Sequence, residues 1–281
     1  MQWGYNTNGL ADHPLPAAIE LVAELGYSAI AVTLDHHTIN PLGDDLARQI
    51  AETRGLLTKH HLNSVVETGA RYLLDPRHKH QPTMLSPEEG DRLRRVNMLR
   101  KSVDIANLLG AHCVSFWPGT PTDDAPRSEH LRRLVESLRP VIEHARKQGV
   151  MLAFEPEPGH LIDTMASYAE LLEALPQELA DSLRLTIDIG HLHCLGETPI
   201  AEQLTTWGDR LENVHIEDMR AGVHEHLPFG EGEIDFPPVI AALQAIEYRG
   251  PVTVELPRHS HIGPEMAEQS LSFLRQLRTE S

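Results

Sequence analysis

Cysteine, basic residues and long apolar runs are all scarce in this chain of 281 residues. Two cysteines, Cys113 and Cys194, are too few for a disulfide framework, so we expect a protein of a reducing compartment, the cytoplasm. The opening stretch MQWGYNTNG has no basic segment followed by a hydrophobic one, so we expect no signal peptide. No apolar run approaches the ~18 residues of a membrane span, which argues against a membrane partner.

The shortage of positive charge argues against two further classes of protein. The chain has 24 lysines and arginines against 41 acidic residues, a formal net charge of −17. Binding to a phosphate backbone needs a basic footprint, so we expect no nucleic-acid partner. None of the few lysines falls on a predicted strand, which argues against a Schiff-base aldolase. The 18 histidines, by contrast, are many for this length.

Strand and helix signals alternate eight times along the chain. Such a repeat is typical of parallel strands joined by helices, and a closed ring of eight takes ~250 residues. We therefore predict one α/β domain over residues 1–281, a single (β/α)8 TIM barrel. Two long loops are expected, over residues 70–87 and 220–236. The predicted helices are Leu15–Leu25, Asp44–His60, Glu88–Leu109, Ser128–Gln148, Met165–Leu175, Ile200–Leu211, Pro237–Tyr248 and Pro264–Arg278.

Four of the predicted strands end in a side chain that binds metals. The segments LAFEPEPG, LTIDIGH, NVHIED and VTVEL place Glu155, Asp188, His215 and Glu255 at the carboxyl ends of successive strands. In a barrel these ends converge, and three carboxylates brought together repel one another unless a cation neutralises them. A mixed oxygen and imidazole set suits Mn²⁺ or Zn²⁺ better than Ca²⁺. The sequence therefore predicts a divalent-metal site.

Several segments resemble a known superfamily. FEPEPG, DIGHLH, HIED and FGEGEIDF…GPVTVEL are similar to the xylose isomerase-like TIM barrels, which include sugar epimerases, cyclitol isomerases and dehydratases, and endonuclease IV. The resemblance is strongest from Val150 to Glu255. It implies that Glu155, Asp188, His215 and Glu255 bind one divalent cation, and that His191 contacts substrate or a second metal.

A second metal is implied by another segment. VHEHLPFGEGEI is similar to the stretch of endonuclease IV that supplies two ligands to a further zinc. The corresponding residues here are His224 and His226, which would join His191 in a three-histidine site, a geometry that leaves a coordination position open. Endonuclease IV also has histidine ligands after strands three and four, where this chain has Gly69 and Trp117. We therefore expect the three-zinc cluster to be incomplete.

Other residues are candidates for holding the substrate. Arg71 belongs to a basic stretch of the first long loop, and a guanidinium suits a phosphate or carboxylate. Trp117 comes at the end of strand four, where its aromatic face can form one wall of a sugar-binding pocket. Glu157 lies two residues after Glu155 and so points to the same side of an extended segment. The resemblance adds Arg258 and His191 as ligands of hydroxyl or enediolate oxygens.

Resemblance to the sugar epimerases also implies the reaction. Glu155 and Glu255 would flank a carbon next to a carbonyl, one removing its proton and the other returning it. The expected activity is metal-dependent isomerisation or epimerisation of a sugar, cyclitol or related polyol, phosphorylated or acidic in some cases, by an enzyme that could form a homodimer. The alternatives are a lyase or dehydratase on a keto-sugar or cyclitol, a two-metal phosphoesterase of the endonuclease IV type, and a barrel that only binds a metabolite.

Overall fold

A computed structural model describes the backbone of residues 1–279 and the side chains of residues 1–277. The last two residues of the predicted 1–281 domain lie outside the described part. The strands are β1 Gln2–Asn6, β2 Ala29–Thr33, β3 Asn63–Glu67, β4 Cys113–Phe116, β5 Met151–Phe154, β6 Leu183–Asp188, β7 Leu211–Ile216, β8 Asp218–Arg220, β9 Val223–Leu227 and β10 Pro251–Val254. The helices are α1 Leu15–Leu25, α2 Leu46–His60, α3 Glu89–Leu109, α4 Arg127–Gln148, α5 Met165–Ala174, α6 Gln177–Ala180, α7 Ile189–Cys194, α8 Ile200–Trp207, α9 Phe236–Ala245 and α10 Gly263–Thr279. Three short 3₁₀ turns cover Thr7–Leu10, Gly208–Arg210 and Ser260–Ile262.

Eight parallel strands form one closed barrel, in the order β1-β10-β7-β6-β5-β4-β3-β2. The last barrel strand, β10, pairs with β1 through registers such as Tyr5 with Val254, and this pairing closes the ring. Helices connect the strands outside the ring, as a right-handed parallel crossover requires. The predicted (β/α)8 TIM barrel is confirmed.

Two parts of the predicted secondary structure were wrong. The expected loop over residues 220–236 contains β9, which pairs antiparallel with the short strand β8 through Asp218 with Leu227 and Arg220 with Val223. This hairpin lies outside the barrel sheet. The helix predicted over Ile200–Leu211 ends at Trp207, because a 3₁₀ turn follows and Leu211 already begins β7.

The barrel strands carry apolar side chains on their outer face, against the helices. Phe154 of β5 is fully buried and its ring lies 5.4 Å from that of Phe116 and 5.8 Å from that of Tyr168 on α5. A smaller cluster of Ala31, Val65, Cys113 and Ala153 fills the inside of the barrel. Within the described residues, no helix has the length and apolar character needed to cross a membrane.

Replacing Phe154 by alanine tests the packing between β5 and its helices. We expect the Phe154→Ala variant to lose about 3–5 kcal/mol of unfolding free energy, because a fully buried aromatic side chain leaves a cavity that its neighbours cannot fill. Denaturant titration of the purified protein measures this loss. The control is Leu93→Ala, since Leu93 is 50% exposed on α3 and its loss should cost no more than about 0.5 kcal/mol. Equal stability losses in the two variants would contradict the packing described here.

Candidate metal centre and substrate cavity

Successive side chains of a strand point to opposite faces of the sheet, and this alternation places four side chains on the floor of a cavity at the carboxyl end of the barrel. Val65 and Ala153 point into the barrel, so Glu67 and Glu155, each two residues further on, point the same way. The same alternation brings His215 of β7 and Glu255, just after β10, to this level. These four side chains line a cavity of about 590 Å³, at the end of the barrel where enzymes of this fold carry their active sites.

The imidazole of His215 lies at the centre of the floor, almost completely buried. Its Nδ1 atom lies 3.0 Å from Glu155 Oε1 and 2.8 Å from Glu255 Oε2, and 4.0 Å from Asp188 Oδ2. The other oxygen of Glu255 accepts a hydrogen bond of 2.7 Å from Asn8 Nδ2. The structure therefore brings together all four metal ligands predicted from the strand ends.

The opposite edge of the His215 ring contacts a carboxylate that was not predicted from the sequence. Its Nε2 atom lies 3.0 Å from Oε1 of Glu67, the last residue of β3, and Asn213 Nδ2 donates to the same oxygen at 3.2 Å. A carboxylate only accepts, so Nε2 carries the proton of this bond. Nδ1 is then the nitrogen available to a metal, and the pair forms a carboxylate–histidine support for a metal ligand.

The four predicted ligands fit a divalent cation. One donor atom from each of Glu155, Asp188, His215 and Glu255 lies within 4.8 Å of the donors of the other three. The Asp188 Oδ2 atom is buried and has no hydrogen-bond partner among the described residues, a costly arrangement unless a cation completes it. Three carboxylates and one imidazole suit Mn²⁺ or Zn²⁺.

Burial and the neighbouring charges shift the pKa values of these groups in opposite directions. Burial raises the pKa of Glu155 to about 8, although His215 acts in the opposite direction. Burial also acts upward on Glu255 and is the largest single influence, but the charge and hydrogen bond of His215, together with the charge of His226, outweigh it and lower the pKa of Glu255 to about 2. Burial alone would lower the pKa of His215, yet Glu255, Glu155 and Glu67 together raise it well above its usual value. The surrounding carboxylates thus favour a positive charge at the position of His215.

A second group of donors lies beside the first. The rings of His191, His224 and His226 have centroids 4.7 to 5.7 Å apart, and one nitrogen of each lies within 4.8 Å of the other two. The Nε2 atoms of His191 and His224 and the Nδ1 atom of His226 are buried, with no hydrogen-bond partner among the described residues. Burial lowers the pKa of His191 to about 4 and lowers that of His224, so both rings are neutral near pH 7.

Asp188 and Glu217 connect the two groups. Asp188 Oδ1 accepts from the backbone N–H of His191 at the start of α7, and its Oδ2 atom lies 3.5 Å from His191 Nε2. Glu217 is fully buried, with Oε1 3.7 Å from His226 Nδ1. Its side chain lies against Gly190, where a Cβ atom would come within 2.2 Å of Glu217 Oε1. Residue 190 must therefore be glycine for Glu217 to occupy this position.

The predicted substrate-binding residues all line the same cavity. They are His191, Trp117, Glu157, Arg71 and Arg258. Arg258 is exposed and its Nη1 atom pairs with Glu225 at 3.1 Å, whereas Trp117 lies between two imidazoles, those of His80 and His160. The predicted long loop over residues 70–87 contributes Arg71 and His80 to the wall of the cavity.

Two of the site residues that were not predicted have sequence positions that could have indicated them. Glu67 ends a predicted strand just as Glu155 and Glu255 do, and Glu217 follows His215 by two residues and so shares its side of the backbone. Asn8 had no such indication, because its bond to Glu255 joins the two ends of the chain.

Removing the carboxylate behind His215 should weaken metal binding. We expect Glu67→Ala to bind Mn²⁺ or Zn²⁺ about 10- to 100-fold more weakly, because the charge-assisted hydrogen bond that orients His215 Nδ1 toward the metal is then lost. Glu67→Gln, which keeps a neutral acceptor, should fall between this variant and the wild type. Calorimetric titration of metal-stripped protein measures the affinity.

The control for this experiment is Glu212→Ala. Glu212 is also a partly buried carboxylate, but it pairs with His112 and Arg184 at the amino end of β7. Its removal should lower the melting temperature and leave metal affinity unchanged. A folded Glu67→Ala protein with wild-type metal affinity would show that Glu67 only packs against His215.

Comparison with known proteins agrees with this geometry. Residues 19–277 match the family described as xylose isomerase-like TIM barrel. An L-ribulose-5-phosphate 3-epimerase of Escherichia coli is 25% identical over 259 residues, covering 88% of this chain and 86% of that protein. The crystal structure of D-allulose 3-epimerase from a Methylomonas species aligns with a TM-score of 0.76 at 21% identity, over 99% of this chain and 98% of the other. The IOLI protein with a bound zinc atom aligns with a TM-score of 0.75 at 18% identity, over 100% and 99% of the two chains. The chain belongs to the xylose isomerase-like TIM barrel family.

Proposed function

We propose that this protein is a divalent-metal-dependent epimerase or isomerase of a sugar or related polyol, which moves a proton next to a carbonyl. The observation that carries the proposal is the placement of Glu155 and Glu255, both within 3.0 Å of the same His215 nitrogen on the cavity floor. The similar proteins include a pentulose-phosphate 3-epimerase and a ketohexose 3-epimerase, which supports this reaction class. Both cysteines are unpaired, which supports a reducing compartment such as the cytoplasm.

The proposed metal ligands are Glu155, Asp188, His215 and Glu255. A cation held there supplies Lewis acidity, which polarises a substrate carbonyl and acidifies the neighbouring C–H bond. Mn²⁺ and Zn²⁺ are the proposed ions, since the donor set combines carboxylate oxygens with one imidazole nitrogen.

Glu155 and Glu255 are the proposed proton carriers. A carboxylate on one face of the carbon removes the proton, and the carboxyl group on the other face returns one, so the configuration inverts. The pKa values of the two groups are shifted in opposite directions, upward by burial at Glu155 and downward at Glu255, where His215 and His226 together outweigh burial, and such pairs divide into acid and base. The hydrogen bond from Asn8 holds Glu255 in place for this role.

The remaining predicted residues would hold the substrate. His191 Nδ1 donates to the Pro156 carbonyl oxygen, so in the neutral ring Nε2 is an acceptor for a hydroxyl. Trp117 presents an aromatic wall and Glu157 an acceptor for further hydroxyls. Arg258 lies at the exposed mouth, where it pairs with Glu225.

Solvent deuterium exchange tests the proton transfer. We expect the metal-loaded wild type to introduce deuterium from D₂O into a carbon next to the carbonyl of a ketopentose or ketohexose substrate, detected by NMR. Glu155→Gln and Glu255→Gln should lower the exchange rate by about 100-fold or more, because a carboxamide neither removes nor returns the proton.

Metal content must be measured in the same samples, since both glutamates are also proposed ligands. The matched control is Glu212→Gln, which lies at the opposite end of the barrel and should exchange as the wild type does. A metal-loaded Glu155→Gln protein that exchanges at the wild-type rate would show that the acid–base role is wrong.

A second candidate function has its own supporting observation. The unpartnered nitrogens of His191, His224 and His226 form a cluster that fits a further metal, next to the first through Asp188. Two neighbouring ions can bind the attacking and leaving oxygens of a phosphoester, so this cluster favours a two-metal phosphoesterase. The epimerase proposal needs only the first ion.

Counting the bound ions separates the two functions. We expect one tightly bound ion per chain after dialysis, lost in Asp188→Asn and kept in His224→Ala, by elemental analysis. Anomalous diffraction at the metal edge then locates the ion. Two tightly bound ions in the wild type, one of them lost in His224→Ala, together with phosphoester hydrolysis, would replace the epimerase by the hydrolase.

A further inference from the structure

The cavity has an anionic floor and a cationic wall that do not neutralise each other. Arg71 and Lys79, from the loop after β3, line the same space as Glu155, Glu157 and Glu255. Yet among residues 1–277 no carboxylate oxygen lies within 4.0 Å of a side-chain nitrogen of either cation. Arg258 at the mouth differs, since it is already paired with Glu225. The two cations are therefore free to bind a ligand.

A third positive charge lies behind this wall. Arg95 on α3 is only 3% exposed, and its guanidinium donates to the carbonyl oxygens of His80 at 2.6 Å and Pro82 at 2.8 Å. It also lies over the ring of Trp117, 5.1 Å from the centroid. Within the described residues no carboxylate pairs with it, and burial lowers its pKa to about 10. A buried charge without a counter-ion is costly unless an anion approaches it.

The loop that carries Arg71 and Lys79 is held in place by hydrogen bonds of His80. The backbone N–H of His80 donates to the Arg71 carbonyl oxygen at 2.6 Å, and His80 Nδ1 donates to that of Gly69 at 2.8 Å. Burial lowers the pKa of His80 to about 4, and the positive charges of Lys79, Arg95 and Arg71 act in the same direction. The hydrogen bonds of His80, together with the one that its carbonyl oxygen accepts from Arg95, thus hold the backbone of the loop that carries Arg71 and Lys79.

We propose that Arg71 and Lys79, with Arg95 behind Trp117, form a binding site for an anionic group of the substrate, a phosphate or a carboxylate. The substrate is then a sugar phosphate or a sugar acid, with its hydroxyl and carbonyl end over the carboxylate floor. This inference rests on the proposed sugar epimerase function and adds the substrate class. Guanidinium and ammonium groups bind such anions through charge-assisted hydrogen bonds.

The overall charge explains why such a site is needed. A protein with a net charge of −17 and a carboxylate-lined cavity repels an anionic substrate. Local cations at the cavity wall reverse that field over the path of entry and orient the bound molecule. A neutral sugar has no need of them, and three uncompensated cations would then only lower stability.

The test compares anionic and neutral substrates on matched variants. L-ribulose, its 5-phosphate and a ketohexuronate are assayed with metal-loaded wild type, the Arg71→Gln/Lys79→Gln double variant and Arg77→Gln. Arg77 belongs to the same loop but does not line the cavity, so it controls for the loss of loop charge. Melting temperatures of the variants confirm that each is folded.

We expect the wild type to have a higher kcat/KM for one of the two anionic sugars than for L-ribulose, and the preferred one identifies the anion. The ratio of anionic to neutral kcat/KM should fall about 10- to 100-fold in the double variant and stay unchanged in Arg77→Gln. An unchanged ratio in the double variant, or a wild-type preference for the neutral sugar, would overturn the inference.

Failure of the epimerase proposal is distinguishable from failure of the anion site. If the wild type acts on none of these sugars, binding of inorganic phosphate to the same metal-loaded proteins is measured by calorimetry. Weaker phosphate binding in the double variant than in Arg77→Gln would support the anion site without the epimerase activity. Phosphate binding that is absent, or that does not depend on Arg71 and Lys79, would overturn it, since phosphate held by the metal alone needs neither residue.

Discussion

The structure depends on the burial of several carboxylates around one imidazole. His215 contacts Glu155 and Glu255 on one edge and Glu67 on the other, and all of them lie at the end of the barrel, where little water reaches them. Carboxylates in such a place are stable only if a positive charge is shared among them. The carboxylates favour the protonated form of His215, and a divalent cation would supply the positive charge better, because it binds several carboxylates at once. The floor of the cavity therefore fits a cation, and the chemistry proposed for the site follows from that fit.

The interior of the barrel has two levels, an apolar level that stabilises the fold and a polar level that forms the site. Below the floor, small side chains such as Ala31 and Ala153 fill the interior and leave room for the polar level above. Outside, Phe154 and its neighbours pack the strands against the helices. Asp188 joins the polar level to the next element, because one oxygen caps α7 while the other faces both His215 and His191. Movement of α7 would therefore disturb both groups of donors together.

Negative and positive side chains lie in different parts of the cavity, and this separation favours one orientation of a bound ligand. Carboxylates line the floor, and Arg71 and Lys79 lie on the wall, without contact between the two sets. A ligand with hydroxyl groups at one end and an anionic group at the other matches both regions in only one orientation. That orientation would place the reacting carbon between Glu155 and Glu255.

The sequence alone determined the order of the barrel strands and the helices between them, and the positions of the four proposed ligands at the strand ends. Both follow from local rules, namely the alternation of side chains along a strand and the convergence of parallel strand ends in a closed barrel. The β8–β9 hairpin was missed because its strands are short and contain only two buried apolar residues, Met219 and Leu227, which is too few for a recognisable alternation. Only the tertiary structure decided that Glu67 supports His215, that Asn8 holds Glu255, and that Arg95 lies uncompensated behind Trp117. Each of these contacts joins residues far apart in the chain, and their distances depend on how the strands are staggered when the barrel closes, which no local pattern specifies.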